Sequence, residues 1–405
     1  METFTFLMTS SFYPPYHIGG ACVHVKYLSQ ELAKRGNEVH VMHSVDAYRL
    51  KRGGKIPTDP EAYNDGVHVH SIDSPIKTLD PLMVYTFGRS FQVQKRFSEL
   101  VKEIHPNIVH HHNISLLGYN ILEKRDNYLS LYTAHDYWLI CPTSNLLKKE
   151  KTCFDKGCFS CALRSKRPPQ LWRSFTSLKT AIENIDLMIV PSDYVRRRLT
   201  QEIDVNTITL PNFVPLPPEN ISPIGYSNYF LFVGRLEKDK GIMNLLNLFE
   251  DLKNCLNSKL IIVGKGSLEN YVQDFVAKHS LQDYVLFLGS VDNKKLYSLY
   301  ANALAVIIPS IWPENAPLVA LEAISVGTPV IASNMGGLPE IVGKIDKRLI
   351  FNDFKELGEI LQNFSKKRYP SSKIKEIFNQ NFGPKKYVDN YLAILGNLQS
   401  RMNNL

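Results

Sequence analysis

One pattern runs through the chain and restricts its fold: short apolar runs alternate with longer amphipathic stretches. Phe4–Met8 is the first apolar run and is predicted to be a strand. Val23–Arg35 then carries apolar residues at helical spacing, and Gly36 follows it where a left-handed cap is wanted. Short apolar strands separated by helices form a parallel sheet that is covered on both faces. The pattern therefore predicts an α/β fold.

A proline-rich segment interrupts the alternation once. Pro211–Pro223 holds five prolines in thirteen residues, and such a segment is extended and makes a natural linker. Since a domain usually has ~100–200 residues, the chain fits two domains. We predict doubly wound, Rossmann-like domains over 1–210 and 225–384, a hinge over 211–224, and a helix over 385–405 that crosses back to the first domain. Ligands of such sheets bind beyond the carboxyl ends of the strands, so we expect the site in a cleft between the domains.

Further elements follow from the same periodicity. Strands are predicted at Glu38–His43, Ile108–His111, Leu129–Thr133, Leu187–Val190, Tyr229–Val233, Lys259–Val263, Val285–Leu288, Ala305–Ile308 and Pro329–Ala332. Helices are predicted at Ile242–Leu252, Leu268–Lys278, Lys294–Ala301 and Leu318–Val326.

Composition bears on location and partners. Met1–Met8 has no basic lead and no apolar run approaches the ~20 residues of a membrane span, so we expect a cytoplasmic protein with reduced thiols. The net charge is +8. Its visible clusters are Lys148, Lys149 and Lys151; Arg164, Lys166 and Arg167; and Arg196, Arg197 and Arg198. Solvated faces are the simpler interpretation of each cluster, and an anionic membrane surface is the functional one. No nucleic-acid-binding signature is present, so nucleic acid is not an expected partner.

The segment Phe232–Gly241, FVGRLEKDKG, places two cations after a buried strand. Arg235 can act as a bidentate fork and Lys240 as a compact charge, which together suit a diphosphate. The simpler interpretation is two solvated basic residues at a helix start. Cations oppose the helix dipole there, which weakens that interpretation.

Pro313–Ala323, PENAPLVALEA, carries two glutamates that flank a predicted helix start. A helix that begins near Pro317 contains Glu322 and leaves Glu314 in the preceding loop. Its first N–H groups, those of Asn315, Ala316 and Leu318, then form a site for anions and hydroxyls. Two carboxylates beside such a turn can accept hydrogen bonds from a ribose and a hexose. A plain helix cap with a surface glutamate explains the segment equally well when it is taken alone.

Together these motifs resemble a known family over nearly the whole chain. The stretches FYPPYHIGGACVHVKYLSQELAKRGNEVHV, PNFV, VGRLEKDKG, IVGKGSLE, ENAPLVALEAISVGTPVIAS and MGGLPEIV occur in the order of the retaining glycosyltransferases of family 4. The resemblance, which is to bacterial surface-polysaccharide or lipopolysaccharide enzymes, implies the GT-B fold of two facing Rossmann-like domains. It also implies metal-independent hexosyl transfer from a nucleotide-diphosphate sugar to a glycan or lipid-linked glycan.

The resemblance assigns roles around the donor diphosphate. Gly19 and Gly20 match the loop whose backbone approaches it. Arg235 and Lys240 match the pair that neutralises it in place of a metal ion. Glu314 matches the carboxylate that contacts the transferred sugar and stabilises its developing positive charge.

The remaining donor contacts are implied in the same way. Glu322 matches the carboxylate that holds the ribose, and Val291 a position where backbone atoms meet the base. Asn315, Ala316, Pro317 and Leu318 match the turn beneath the sugar and phosphate. His135, in TAHDYW, matches a histidine that meets the donor sugar, although a structural loop histidine is the simpler interpretation. The family's chemistry keeps the anomeric configuration and uses a donor phosphate oxygen to deprotonate the acceptor, so no side-chain base is assigned.

Four cysteines follow His135 within a short loop: Cys141, Cys153, Cys158 and Cys161. In a reducing compartment such clustering favours a metal over disulfides, and zinc is expected before an iron–sulfur cluster. Free thiols are an equal alternative, because the spacing between the first two cysteines is long for a zinc ribbon. A metal here would be structural or would shape the acceptor site.

Three consecutive histidines, His110, His111 and His112, look like a ligand cluster. Neighbouring residues of a strand point to opposite faces, so we expect no shared ion. Cys22 and Cys255 are expected in the core.

Other functions stay open at this stage. A Rossmann oxidoreductase is disfavoured, because the loop after the first strand is long and lacks the compact glycine fingerprint. A sugar-nucleotide epimerase or hydrolase on the same fold, or a silent nucleotide-sugar-binding protein, remains an alternative. The basic clusters of the first half suit a lipid-diphosphate acceptor and a peripheral position at the inner face of the cell membrane.

Overall fold

A computed structural model of the chain describes residues 3–53, 66–123, 127–148, 151–153, 158–164 and 169–403. The chain divides into two compact units. The first unit comprises residues 1–146, 153–210 and 388–405, and the second comprises 147–152 and 211–387.

The first unit is built on a seven-stranded parallel sheet with the order β3-β2-β1-β4-β5-β8-β9. Its strands are β1 (Thr5–Thr9), β2 (Glu38–Ser44), β3 (Val67–Ile72), β4 (Ile108–His111), β5 (Leu129–Thr133), β8 (Leu187–Val190) and β9 (Thr207–Thr209). Its helices are α1 (Gly20–Lys34), α2 (Val45–Arg52), α3 (Leu79–Phe87), α4 (Phe91–Ile104), α5 (Cys158–Arg164), α6 (Thr176–Ile182), α7 (Asp193–Thr200) and the part of α15 (Pro384–Asn403) from Val388 onward. Short 3-10 turns lie at Tyr119–Leu122 and Leu171–Ser174.

The second unit has a six-stranded parallel sheet with the order β12-β11-β10-β13-β14-β15. Its strands are β10 (Tyr229–Val233), β11 (Lys259–Val263), β12 (Val285–Gly289), β13 (Val306–Ile308), β14 (Val330–Ser333) and β15 (Ile350–Phe351), besides a two-stranded hairpin, β6 (Leu147–Lys148) and β7 (Lys151–Thr152). Its helices are α8 (Ile242–Leu252), α9 (Glu269–Lys278), α10 (Asn293–Asn302), α11 (Leu318–Ser325), α12 (Leu338–Val342), α13 (Phe354–Gln362) and α14 (Ser371–Asn381), with 3-10 turns at Lys238–Lys240, Lys347–Leu349 and Lys366–Arg368. Residues 211–228 form neither helix nor strand.

The α/β fold predicted from the apolar runs is confirmed. Phe6, Leu7 and Met8 in the first sheet are completely buried, as a central strand covered on both faces requires. Gly36 has φ 83° at the end of α1, in the left-handed region. Cys22 is buried as expected, but Cys255 is exposed, so its predicted place in the core is wrong.

In both sheets the order of the strands reverses at a central strand, and this reversal positions the loops that could form a site. In the first unit the chain runs outward from β1 to β2 on one side and to β4 on the other. In the second unit β10 lies between β11 and β13 in the same way. Ligands of open α/β sheets bind beyond the carboxyl ends of the strands at such switch points. The loops after β1, β4, β10 and β13 are therefore the places to look for a site.

Candidate functional site

The loop after β10 lies backbone to backbone against the loop after β11. Gly234 donates its N–H to the Val263 carbonyl at 3.0 Å, and Leu236 to that of Lys265 at 2.9 Å. A Cβ on Gly264, which has φ +144°, would stand 1.8 Å from the Gly234 carbonyl oxygen. Only glycine fits there. This close approach fixes the path of the backbone that carries Arg235.

Lys240 and Glu314 meet at the centre of the second unit's site. Lys240 Nζ lies 2.5 Å from Glu314 Oε1, and the same oxygen accepts a hydrogen bond from Ser310 Oγ at 2.7 Å. The Lys240 ammonium also lies 4.8 Å from the centre of the Trp312 ring. Glu314 is only 4% exposed. A buried carboxylate of this kind needs a charged partner, and Lys240 supplies it. Among the residues that the structure describes, no group bonds Oε2, so that oxygen is left for a ligand.

Arg235 stands apart from this pair. Its side chain is 53% exposed, and its guanidinium lies 4.0 Å from the Asp239 carboxylate. An exposed ion pair at that distance is weak, so the fork can turn toward an anion at little cost.

The turn between the two glutamates has the predicted form. Pro317 has φ −69° and ψ 129°, and α11 begins at Leu318. The Asn212 amide donates to the Ala316 carbonyl at 3.0 Å and fixes the turn from the proline-rich segment. The Gly337 N–H donates to the Glu314 carbonyl at 2.6 Å from the other side. The Leu318 and Val319 N–H groups at the start of α11 have no acceptor within the helix and can face an anion, whereas the Ala320 N–H bonds the Pro317 carbonyl at 3.1 Å.

Glu322 lies within α11, as predicted, and is half-buried. Burial raises the pKa of its carboxyl, while a hydrogen bond from the Tyr300 hydroxyl to Oε2 at 2.8 Å opposes that shift. Tyr300 therefore orients the carboxylate. Val291 is half-buried in the loop after β12, which is the edge strand of this sheet and two strands away from β10.

In the first unit, Gly19 and Gly20 form the start of α1. Gly19 has φ 80°, which a residue with a side chain rarely adopts, although a Cβ there would meet nothing within 4 Å. Glycine is thus required for the backbone conformation and not for space.

His135 follows β5 and contacts α1 through His24, whose ring centre is 5.1 Å away. His112, which follows β4, places Nδ1 3.0 Å from His135 Nε2. Burial lowers the pKa of His135 to about 3, so the imidazole is neutral near pH 7. Burial also raises the pKa of the adjacent Asp136 to about 6. The structure thus brings the helix that begins at the glycine pair together with His135.

The sequence pattern did not predict the contact between His112 and His135. His110 and His112 share one face of the strand end, with ring centres 4.0 Å apart, while His111 bonds Thr9 Oγ1 at 2.8 Å on the other side. The alternation of faces was therefore predicted correctly. The signal that could have found the contact is that β4 and β5 are neighbours, with residue 112 one position past β4 and residue 135 two positions past β5.

The cysteine loop gives no support for the predicted zinc site. Burial and then the charges of Cys141, Cys153 and Cys161 raise the pKa of Cys158, so the four thiols share a neighbourhood. No three of these sulfurs, however, appear among the ligand groups that lie within 4.8 Å of one another in the described part of the chain. Residues 154–157, between the second and third cysteines, lie outside the described residues.

Charge and membrane character can be checked in part. Lys149, Lys166 and Arg167 lie outside the described residues. In the described part of the chain no helix is long and apolar enough to cross a bilayer. Arg196 pairs with Asp193 at 3.0 Å, and Arg198, with a side chain only 10% exposed, pairs with Glu202 at 3.5 Å. Asp193, the first residue of α7, and Glu202, just beyond its end, thus partly neutralise this last cluster.

Comparison with known proteins follows the division of the chain. Residues 18–216 match the family described as Glycosyltransferase Family 4, and residues 219–381 match Glycosyl transferases group 1. An uncharacterized glycosyltransferase of Methanocaldococcus jannaschii, MJ1607, is 42% identical over 112 residues, 28% of each chain. O-antigen chain mannosyltransferase B of Escherichia coli is 27% identical over 56% of this chain and 64% of its own. This chain covers less than two thirds of either relative's length.

A solved structure extends the likeness to the whole fold. Anabaena Alr3699/HepE, determined in complex with UDP, superposes with a TM-score of 0.65 at 16% identity and covers 97% of this chain and 100% of its own. Its likeness confirms the GT-B architecture. The two family matches together span both units of this chain, and the parallel sheet in each unit agrees with them. The chain therefore belongs to glycosyltransferase family 4, whose enzymes transfer a sugar from a nucleotide sugar.

Proposed function

We propose that the protein transfers a hexose from a nucleotide-diphosphate sugar to a hydroxyl of a glycan or lipid-linked glycan, with retention of anomeric configuration. The observation that carries the proposal is the pairing of the half-buried Lys240 with the buried Glu314 at the switch point of the second sheet. It places a cation, a carboxylate oxygen and a helix N-terminus beside one another. Those are the groups that a departing diphosphate and a sugar with developing positive charge require.

Lys240 and Arg235 act on the diphosphate. The ammonium is held by Glu314 Oε1 and is already oriented before a donor arrives, so little reorganisation accompanies the departure of the phosphate. Arg235, which is more exposed, closes on the second phosphate as a fork. Glu314 Oε2 remains for the sugar. Because two cations neutralise the leaving group, the transfer needs no divalent ion, in keeping with the family's general metal independence.

The nucleotide is bound by groups farther along the sheet. Glu322, oriented by Tyr300, accepts hydrogen bonds from the ribose hydroxyls. The turn formed by Asn315, Ala316, Pro317 and Leu318 offers N–H groups to the sugar and phosphate, and Val291 offers backbone atoms to the base. Uridine is the first base to test, because the similar Anabaena protein was determined with UDP.

His135 and the glycine pair contribute from the first unit. A neutral His135, held by His112, can bond a sugar hydroxyl without adding positive charge beside a cationic transition state. The backbone at Gly19 and Gly20 is proposed to approach the diphosphate. No side chain is assigned as a general base, since a donor phosphate oxygen takes the acceptor proton.

Exposed apolar side chains support a lipid-linked acceptor and a peripheral place at an anionic membrane surface. Leu79, Leu82, Met83 and Phe87 lie on one face of α3, and each is at least 41% exposed. Phe87 also lines a groove with Leu171 and Phe175. We call these six residues the apolar patch. Such a patch on a soluble surface is costly unless it contacts lipid or a partner. The mannosyltransferase relative acts, by its name, on an O-antigen chain.

A donor screen tests the transfer. The protein is incubated with UDP-, GDP- and ADP-hexoses, and slow donor hydrolysis and nucleotide release are measured. We expect one donor to turn over, and Lys240→Ala to reduce its kcat by about 10²–10³-fold. Lys238→Ala, an exposed lysine in the same turn, serves as the control and should be unaffected.

The screen also separates two of the alternative functions, the epimerase and the silent binding protein. An epimerase would release a changed nucleotide sugar without free nucleotide, and a silent binding protein would bind a donor without turnover. The proposal would be refuted if no donor bound and none turned over. Equal kinetics in the Lys240→Ala and Lys238→Ala variants would also refute it.

Liposome flotation tests the acceptor side separately. The apolar patch predicts that Phe87→Glu reduces recovery with anionic vesicles several-fold. Leu216→Glu, which changes an equally exposed apolar residue of the second unit, should float like the unchanged protein. Equal recovery of all three proteins, or binding indifferent to lipid charge, would count against a membrane-bound acceptor while leaving the donor chemistry intact.

A further inference from the structure

The paired strands β2 and β3 gather three histidines and a glutamate on one face of the first sheet. His40 is opposite His68 in the register, and Met42 is opposite His70. Because side chains alternate along a strand, Glu38 and His40 share a face with His68 and His70. None of these residues has a part in the proposed transfer.

Three of these side chains converge closely enough to share an ion. The ligand atoms of Glu38, His40 and His68 all lie within 4.8 Å of one another. Zinc binds nitrogen and oxygen at ~2.0–2.2 Å, which spaces tetrahedral ligands ~3.4 Å apart. Glu38 Oε1 and His40 Nε2 already lie 3.2 Å apart, so closing the difference requires rotation of the exposed His68 side chain. Across the described ranges of the chain, no other such group of three is present.

The neighbours of this cluster hold its ligand atoms in place. Thr5 Oγ1 donates to Glu38 Oε2 at 3.1 Å, which leaves Oε1 facing His40 Nε2 at 3.2 Å. On the other side of the ring, His40 Nδ1 lies 2.9 Å from His70 Nε2. Metal-bound histidines regularly use their second nitrogen in this way, and the contact fixes which nitrogen faces the ion.

We propose that Glu38, His40 and His68 form a binding site for a divalent first-row transition ion, zinc before others. Imidazole and carboxylate ligands suit zinc. The carboxylate supplies one negative charge against the two positive charges of the ion, and histidines bound to a metal ion are neutral. Three protein ligands leave the fourth position to water.

The position of the site gives its role. Glu38 is the first residue of β2, and His68 is the second residue of β3. The cluster therefore lies toward the amino ends of the strands, while the loops that carry Gly19 and His135 follow the carboxyl ends. β3 is the outermost strand of the sheet. The ion links this edge strand to its neighbour β2 and stabilises the sheet, and it takes no part in sugar transfer.

Equilibrium dialysis against zinc with elemental analysis tests the proposal on the full chain after chelator treatment. We expect one zinc from this site in the unchanged protein. Cobalt(II) distinguishes it from the cysteine loop, because thiolate ligands give intense near-ultraviolet charge-transfer absorption that imidazole and carboxylate ligands lack. Zinc should also slow amide hydrogen exchange in β3.

Single variants identify the ligands. His68→Ala and Glu38→Gln should weaken zinc binding by more than 100-fold, and His70→Ala, which removes the orienting contact, by about 10–100-fold. His279→Ala is the matched control, because His279 lies 2.5 Å from Glu250 and the described residues offer no third ligand there. Three results would overturn the assignment and leave only a hydrogen-bonded row of histidines. They are zinc affinity in His68→Ala and Glu38→Gln equal to that of the unchanged protein, absence of zinc binding in the unchanged protein, and a cobalt spectrum with thiolate bands alone.

Discussion

Lowering the pH from 7.5 to 5.5 should sharply destabilise the first unit. Five of its histidines are completely buried: His24, His43, His110, His111 and His112. Burial lowers the pKa of each, to about 3 for His43 and His111. A histidine with a lowered folded-state pKa contributes stability above its unfolded pKa of about 6.5, and that stability is lost as the pH falls.

The size of the effect follows from the unfolded state. At pH 5.5 an unfolded histidine binds a proton that the folded one does not, which costs about 1.4 kcal/mol each. The five histidines and His135, whose pKa burial lowers to about 3, together cost about 8 kcal/mol. Asp136 works in the opposite direction. Its pKa of about 6, raised by burial, offsets about 1 kcal/mol over the same interval. A net loss of about 7 kcal/mol approaches the whole stability of a typical domain.

Tryptophan fluorescence during urea unfolding measures this loss in the first unit alone. Of the three tryptophans, Trp138 and Trp172 belong to that unit, so Trp312→Phe removes the only signal from the other. In this background His43→Gln should lower the pH dependence by one proton, while the exposed His17→Asn should not change it. A change below about 2 kcal/mol between the two pH values, or greater stability at pH 5.5, would refute the reasoning.

Two further predictions concern the second unit. Gly336→Ala should destabilise it by more than about 3 kcal/mol in urea unfolding, because a Cβ at φ +64° would lie 2.1 Å from the Glu314 carbonyl oxygen. Gly225→Ala is the control, since a Cβ there would have nothing within 4 Å. Equal losses of stability in the two variants would contradict the prediction. Glu322→Ala should weaken nucleotide binding in calorimetry by about tenfold or more with little change in kcat. Tyr300→Phe should have a smaller effect of the same kind, because the Tyr300 hydroxyl only orients the Glu322 carboxylate. A loss confined to kcat would refute the role of Glu322 at the ribose.

The sequence predicted the fold well where burial is complete on both faces. Ile108–His111, Leu129–Thr133 and Lys259–Val263 are strands over the predicted ranges. Short, largely apolar segments of this length between helical stretches indicate covered parallel strands. The edge strand Val67–Ile72 was not predicted. Its valines and histidines alternate, which is the pattern of a half-buried strand and differs from the short apolar runs that indicated the other strands.

The candidate site was predicted in its parts and not in its contacts. Chain order and motif spacing indicated Lys240 and Glu314 separately, but their ion pair joins residues 74 positions apart. It depends on β10 and β13 being neighbours, which is a property of the sheet order. The link from His135 to His112 has the same origin. The assigned roles at the donor remain predictions that the experiments above address.

The hydrogen bond between Tyr391 and His110, at 2.9 Å, has a consequence for synthesis on the ribosome. Tyr391 and Leu395 are completely buried in a unit whose other residues end at Leu210. At ~5–20 residues per second, roughly 10–40 s pass between translation of Leu210 and of Tyr391. During that time the second unit completes its chain while the first lacks part of its core. The half of the protein that is made first is thus the last to be finished.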